Sequence, residues 1–396
     1  MVSSALIDGL FGGALDAVSS QRTTLAQTAL STATDRMTNK DYEGALTQLK
    51  RSIALDPNGD YTSQAYDLMG SCYQQLGKND DAAKAYQAMA KIDPTSDTPH
   101  LRLGQLYFGQ QDYVTSTSEY EQAVRLSPTS AANLLSLGHA YLSGGRLTDA
   151  EATFRKVVQM EPDQYGSHYA LGQALAKEGH YDEAVSEFQT TLSLKHDFDT
   201  ARVDLGQAYA AMGRFDEANQ QLSALTNSGS SLASLLQGSI IKAEPARINT
   251  AGSLDGFIPT LGPGSLVSWL DPAVAEPNGE KEFSLSFFFS KSMDPTSVET
   301  PTNWSIDRTI VGSPSGAYND AQPVPATEAG VSPVPTRVEY DASSDTARVF
   351  FAVRQNADGT ATIDPSHLIF RFMGLDAYGN AMDPSADEFN GISLIT

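Results

Sequence analysis

The sequence predicts a multi-domain α + β protein, an α-solenoid of helical hairpins followed by a β-sandwich. Three observations predict it: glycines recur at intervals of 34 in the first part of the chain, prolines crowd the second part, and beyond Lys281 the apolar period falls to two. Of the 19 prolines, only Pro57, Pro94, Pro99, Pro128 and Pro162 precede Glu244. Helix interiors exclude proline, so the change marks a change of architecture.

The glycine ladder is Gly70, Gly104, Gly138, Gly172 and Gly206, and three residues after each comes Tyr73, Tyr107, Tyr141, Leu175 or Tyr209. Further along each unit stand Ala82, Ser116, Ala150, Ala184 and Ala218, and then Tyr86, Tyr120, Phe154, Phe188 and Leu222. A small residue lets two helices approach closely while a large one fills the hole beside it. Pro94, Pro128 and Pro162 close three units, while His196 and Ser230 stand in their place in the last two. A degenerate first unit has Ala45, Leu49 and Pro57, with Ala33 where the glycine belongs and extra residues around Asn58-Gly59-Asp60. Six units result, and Ser231 to Lys242 supply a capping helix.

This order of small, aromatic and closing residues resembles the tetratricopeptide repeat over residues 29 to 230. The resemblance implies a solenoid at 29–243, cap included, whose first helices line a groove for peptides or partner helices. The residue after each ladder glycine then faces the groove, which places Gln105, His139, Gln173 and Gln207 in one row. Three residues before the glycines stand Leu101, Leu135, Tyr169 and Val203, and Phe108 and Leu142 extend the apolar strip. Amides with apolar side chains suit a protein segment better than a charged ligand. A second reading has the strip covered by the protein itself. The basic and asparagine clamp of chaperone-binding members is not matched.

Residues 244–280 are rich in Gly, Pro and Ser but carry Ile248, Phe257, Val267, Trp269 and Leu270, so they are expected to be an apolar linker that packs against one or both modules rather than a free one. From 281 to 396, alternation at Phe283, Leu285 and Phe287 and the runs Arg337–Tyr340, Ala347–Val353 and Leu368–Phe372 read as strands. The segments Phe287-Phe-Phe-Ser-Lys-Ser-Met-Asp-Pro295, Asn303-Trp-Ser-Ile306 and Asp376-Ala-Tyr-Gly-Asn380 resemble bacterial immunoglobulin-like domains of surface-layer proteins and adhesins. That resemblance implies a structural, extracellular immunoglobulin-like β-sandwich with no catalytic residues. A Pro-rich insertion at 312–335 departs from it and is a candidate contact surface. Asn356-Ala-Asp-Gly359 and Asp341–Asp345 read as turns, with calcium as the lesser alternative.

The first 28 residues form a separate segment in which Leu6, Leu10, Phe11 and Val18 give an amphipathic helix weakened by Gly9, Gly12 and Gly13. Docking on another copy is its expected role, with folding back on its own domain as the alternative. A net charge of -22 argues against nucleic acid, and no run of residues is apolar enough for direct membrane insertion. One cysteine, Cys72, rules out an internal disulfide, and the six histidines show no metal-binding i, i+4 pair. No nucleophile elbow or phosphate loop is present. The expectation is therefore a protein without catalytic residues, metal or cofactor. It binds protein, chiefly other copies of itself, and assembles outside the cell or on its surface by a signal-peptide-independent route. A cytoplasmic or envelope adaptor is the alternative.

Overall fold

Helices α1 (Ser4–Thr38) and α2 (Tyr42–Leu55) form the first hairpin of the computed structural model. Its description covers residues 4–253, 257–258, 261, 264–308, 327–365 and 368–390, with the side chains of 4–17, 308 and 390 excepted. Five more hairpins follow: α3 (Thr62–Gln75) with α4 (Asn79–Ile92), α5 (Thr98–Gly109) with α6 (Tyr113–Leu126), α7 (Ala131–Ser143) with α8 (Leu147–Met160), α9 (Tyr165–Glu178) with α10 (Tyr181–Leu194), and α11 (Asp199–Ala211) with α12 (Phe215–Asn227). The chain divides into two compact units, 1–236 and 237–396, and the boundary falls inside α13 (Ala233–Ala243) rather than after it.

Each hairpin closes on its ladder glycine. A Cβ at Gly70, Gly104, Gly138 or Gly172 would lie 2.3, 2.6, 2.4 or 2.6 Å from the ring of Tyr86, Tyr120, Phe154 or Phe188. The rings press directly on helix backbone, and Tyr86, Phe154 and Phe188 are almost wholly buried. Gly206 breaks the pattern: its neighbour is Leu236 of α13, at 2.6 Å, and Leu222 is only half-buried. With an aliphatic side chain in the ring's place, the capping helix supplies the filling group instead. In the degenerate unit the fully buried Ala33 stands at the glycine position, against a core that includes Ala45 and Leu49.

The sequence reading missed a second ladder. Seven residues after Ala33 and each ladder glycine, Lys40, Gly77, Gln111, Gly145, Gly179 and Gly213 all have φ between 59° and 85°. This left-handed residue ends the first helix of every hairpin, the conformation that glycine adopts most readily.

The N-terminal segment is not a separate element: α1 runs unbroken from Ser4 into the first repeat. The side chains of Leu6, Leu10 and Phe11 lie outside the described residues, and Val18 is exposed.

The second unit is strand-rich. Its main sheet has the order β1 (Ile248–Gly252), β3 (Glu280–Phe289), β7 (Thr346–Arg354), β5 (Gly330–Val331), and β6 (Arg337–Asp341) also pairs with β7. A three-stranded sheet has the order β10 (Glu388–Asn390), β9 (Leu368–Phe372), β4 (Trp304–Arg308), and β2 (Ser265–Leu266) pairs with β8 (Thr362–Ile363). All these pairings are antiparallel. The main sheet curls as a half-barrel, so the strand-rich expectation holds while the immunoglobulin-like topology is not established.

One apolar core serves both larger sheets. In β3, Phe283, Leu285 and Phe287 face Phe351, Val349 and Ala347 of β7. Phe287 also packs on Trp304 and Phe370, each with ring centroids 5.3 Å apart, and Trp304 Nε1 donates to Val298 O at 2.8 Å. The described residues of 244–280 pack on the second unit, as their apolar content predicts, and do so as part of its fold: they contribute β1, β2 and the buried Phe257, Val267, Leu270 and Val274. Of the 312–335 insertion, 312–326 lie outside the described residues, and β5 belongs to the sheet.

Two of the quoted motif segments meet in space. Asp376, wholly buried, pairs with the Lys291 ammonium and accepts from the backbone N–H of Tyr378 and Asn380, both at 2.8 Å. Ala377 N–H donates to Ser292 O at 3.1 Å and Asp294 N–H to Leu375 O at 3.2 Å. Lys291 also donates to the carbonyls of Ile241 and Glu244, and Asn380 Nδ2 donates to Lys242 O at 2.6 Å. The last carbonyls of α13 are thus satisfied by the motif's own side chains. Gly379, at φ 85°, makes the turn between these contacts possible. Burial pushes the Asp376 carboxyl up, but the bonds from Lys291, Asn380 and Tyr378 win and hold it below the ordinary range.

Three substitutions test this account. Gly138→Ala should lower stability in denaturant by about 1–3 kcal/mol, because the new methyl meets a rigid ring. Gly166→Ala, on α9 with open space around it, should raise stability by up to about 1 kcal/mol. Lys291→Ala leaves a buried carboxylate unpaired and should cost the second unit about 3–5 kcal/mol in its unfolding transition. Because the Asp376 pKa is depressed, its contribution is present at neutral pH and is lost as pH falls below about 4, so the penalty should shrink there.

Candidate functional site: the first-helix strip

The first helices α7, α9 and α11 touch in succession, and side-chain bonds tie α5 to α3, so their surfaces form one strip. At two junctions, position three before a ladder glycine meets position two before the next. At the N-terminal end, Arg102 grips Asp67 across that junction, with Nε to Oδ1 at 2.8 Å and Nη2 to Oδ2 at 3.2 Å. The two-bond geometry fixes the guanidinium and keeps Asp67 occupied.

The central strip is apolar. Leu101, Phe108 and Leu135 are half-buried, and Phe108 packs edge-on against Tyr113 with ring centroids 5.5 Å apart. His139 sits edge-on against Phe154 at 5.2 Å, and burial holds its imidazole below the usual range. It is therefore neutral near pH 7 and presents no charge to a partner. Gln105 is exposed beside Arg102, which approaches its Oε1 at 3.5 Å.

Polarity returns at the C-terminal end. Tyr169 Oη donates to Asp204 Oδ2 at 2.8 Å, and Gln173 Nε2 lies 3.1 Å from the same oxygen and 2.8 Å from the Tyr169 hydroxyl. The Tyr169 ring also packs at a tilt against Phe198, with centroids 4.7 Å apart. Burial raises the Asp204 carboxyl above its ordinary range although both bonds act against it. Burial and the neighbouring carboxylate push the Tyr169 phenol far upward, so it stays a donor. Beside this cluster is a cavity of about 390 Å³ lined by Gln173, Asp204, Gln207, Lys177, Tyr181 and Phe188 among others.

Gln173 and Gln207, expected in one row, do share a cavity. Val203 and Leu142 are closed to a partner: both are buried, only 2% and 8% exposed, although Leu135 and Phe108 at the same repeat positions are half-buried. Arg102 and Asp204 went unnoticed. The signal was available: two residues before the ladder glycines stand Leu68, Arg102, Ser136, Ala170 and Asp204, a position charged only at two junctions.

Replacing Asp204 by Asn tests the electrostatics. A carboxyl raised on folding supports the folded state below its unfolded pKa and loses that support as pH climbs through its folded value. Melting temperatures of the parent and Asp204→Asn chains should therefore converge near pH 4 and separate as pH rises from there, with the Asn chain gaining.

Tetratricopeptide-repeat models match residues 30–97, 68–131, 101–165, 135–197 and 175–237. No curated protein matches the chain. Among solved structures, Pseudomonas aeruginosa PilF is similar at 16% identity, with 55% of this chain and 99% of that one covered and a TM-score of 0.44. A tetratricopeptide repeat protein from Parabacteroides merdae is similar at 17% identity over 55% and 86% of the two chains, with a TM-score of 0.47. MamA from Desulfovibrio magneticus RS-1 is similar at 21% over 44% and 97%, with a TM-score of 0.39. The repeat spacing, the packed helical hairpins and the family models agree, and through residues 30–237 the chain belongs to the tetratricopeptide-repeat proteins.

Proposed function

We propose that this chain is a non-catalytic scaffold that holds a protein segment along its first-helix strip. The carrying observation is the strip itself: half-buried Leu101, Leu135 and Tyr169 run beside Gln173, Gln207 and a cavity of about 390 Å³. Apolar side chains flanked by amide donors and acceptors can bury a partner's side chains and bond its backbone together. Repeats of this family mediate protein–protein contacts, which supports the reading.

A second reading deepens the first: the captured segment belongs to another copy, and the chain assembles outside the cell or on its surface. It is favoured by the surface-layer-like segments around Lys291 and Asp376, whose mutual packing gives them a structural role. In that reading the second unit is an immunoglobulin-like spacer.

Leu135→Asp with Tyr169→Asp places charge where a partner would exclude water. Cross-linking in the source cells, followed by mass measurement, should show partner adducts with the parent chain and few with the double variant at equal helical content. Unchanged adducts would remove the strip from the proposal. Light scattering across a concentration series separates the two readings, because self-assembly predicts growing mass for the parent chain and a monomer for the variant.

A further inference from the structure

The turn joining α9 to α10 departs from its counterparts. Six and eight residues past the ladder glycine the other turns carry Leu76 and Lys78, Gln110 and Asp112, Gly144 and Arg146, or Met212 and Arg214, whereas this turn carries Glu178 and His180. Facing it on α8 is Glu151, at a position where three other repeats have the buried Ala83, Thr117 and Val185 and the last has the exposed Asn219. At the next junction the three places hold Val185, Met212 and Arg214, an apolar pair with a cation. Here the apolar pair is replaced by two carboxylates.

Geometry brings the three side chains to one point. His180 Nδ1 lies 3.4 Å from Glu178 Oε2 and 3.9 Å from Glu151 Oε2, and one ligand atom from each residue falls within 4.8 Å of the others. A tetrahedral cation with bonds of about 2.0–2.2 Å spaces its ligands roughly 3.3–3.6 Å apart. Small rotations of the carboxylates reach that spacing. Gly179, at φ 85°, reverses the chain between Glu178 and His180, and His180 is the N-cap of α10. From one turn along α8, Arg155 donates Nε to Glu151 Oε1 at 2.6 Å and Nη2 to Glu183 Oε2 at 2.5 Å. It orients the Glu151 carboxylate and leaves Oε2 toward the histidine, as an outer-shell partner does at metal sites.

An independent observation concerns Glu178. Its side chain is only 11% exposed, and its Oε1 is buried with no hydrogen-bond partner. An unbonded carboxylate oxygen out of water is costly, more so beside a second carboxylate. A cation bound by both Glu178 oxygens would answer both costs.

We propose that Glu151, Glu178 and His180 bind a divalent transition metal of the zinc class, which staples α8 to the α9–α10 turn. Two carboxylates and an imidazole are the mixed oxygen and nitrogen donors that such an ion accepts, and with Glu178 bound through both oxygens they supply four donor atoms. The ligands come from two repeats, so no short sequence spacing announces them.

The experiment uses the full chain, freed of metal by chelator and dialysis, with zinc chloride as the probe and magnesium chloride as the comparison. Calorimetry should show saturable binding of one zinc per chain and a raised melting temperature, with no comparable effect of magnesium. Glu178→Gln and His180→Ala should each weaken zinc binding by roughly tenfold or more while circular dichroism stays helical. Three results would overturn the proposal. One is no saturable zinc binding; another is binding that survives both substitutions. The third is a metal-free Glu178→Gln chain that melts higher while zinc shifts nothing, which would mean that the two carboxylates share a proton.

Discussion

The missing Cβ of the ladder glycines is the constraint on which the repeat unit rests. With 2.3 to 2.6 Å between a would-be methyl and a buried ring, the two helices of a hairpin stand closer than any other residue would permit. That approach sets which face of each first helix is spent on its own hairpin and which is left for its neighbours and for the strip. Leu135 and Tyr169 stay half-buried there, while Val203, at the same repeat position in the last hairpin, is buried. The left-handed residue seven positions later then turns the chain back, so both halves of the hairpin are tied to one short stretch of sequence.

Much of this was legible because the contact repeats. A glycine, a small residue and a ring at constant spacing can be read without coordinates, and so can the Ala33 that replaces the first glycine. Gly206 marks where legibility stopped: its partner is Leu236, outside the repeat register, and only packing reveals it. Residues 244–280 were legible as an apolar segment that packs on a module, but not as strands of one. Their composition is that of a loop, yet Phe257 and Val267 are held in the core by strands from 280 onward. Period-two alternation located β3 and β7 but could not show that Ser284 and Ser286 on the other face are also buried.

The strip was half legible. Positions defined within one helix found Gln173 and Gln207, whereas Arg102 and Asp204 matter through the preceding repeat, at sequence separations of 35 and 31 to 35. The same holds for Glu151 with His180. Chemistry built across repeats is invisible to a reading within one, which is why the strip's charged ends and the α9–α10 turn emerged only from the fold.

The two units also differ in how far along the chain their contacts reach. A hairpin in the first unit closes between a glycine and a ring in adjoining helices, so each can form soon after it leaves the ribosome. The second unit works on another clock. Its first strand is bound to its last segment, with Ile248 N–H on Ala386 O at 3.0 Å and Arg247 Nε on Asp383 at 2.9 Å, 136 residues apart. During synthesis the repeat array can be native while β1 and β3 still wait with unpaired edges. The aromatic run Phe287-Phe288-Phe289 then lacks β7 as a partner, and an apolar strand left unpaired for that long is the kind of surface through which nascent chains associate.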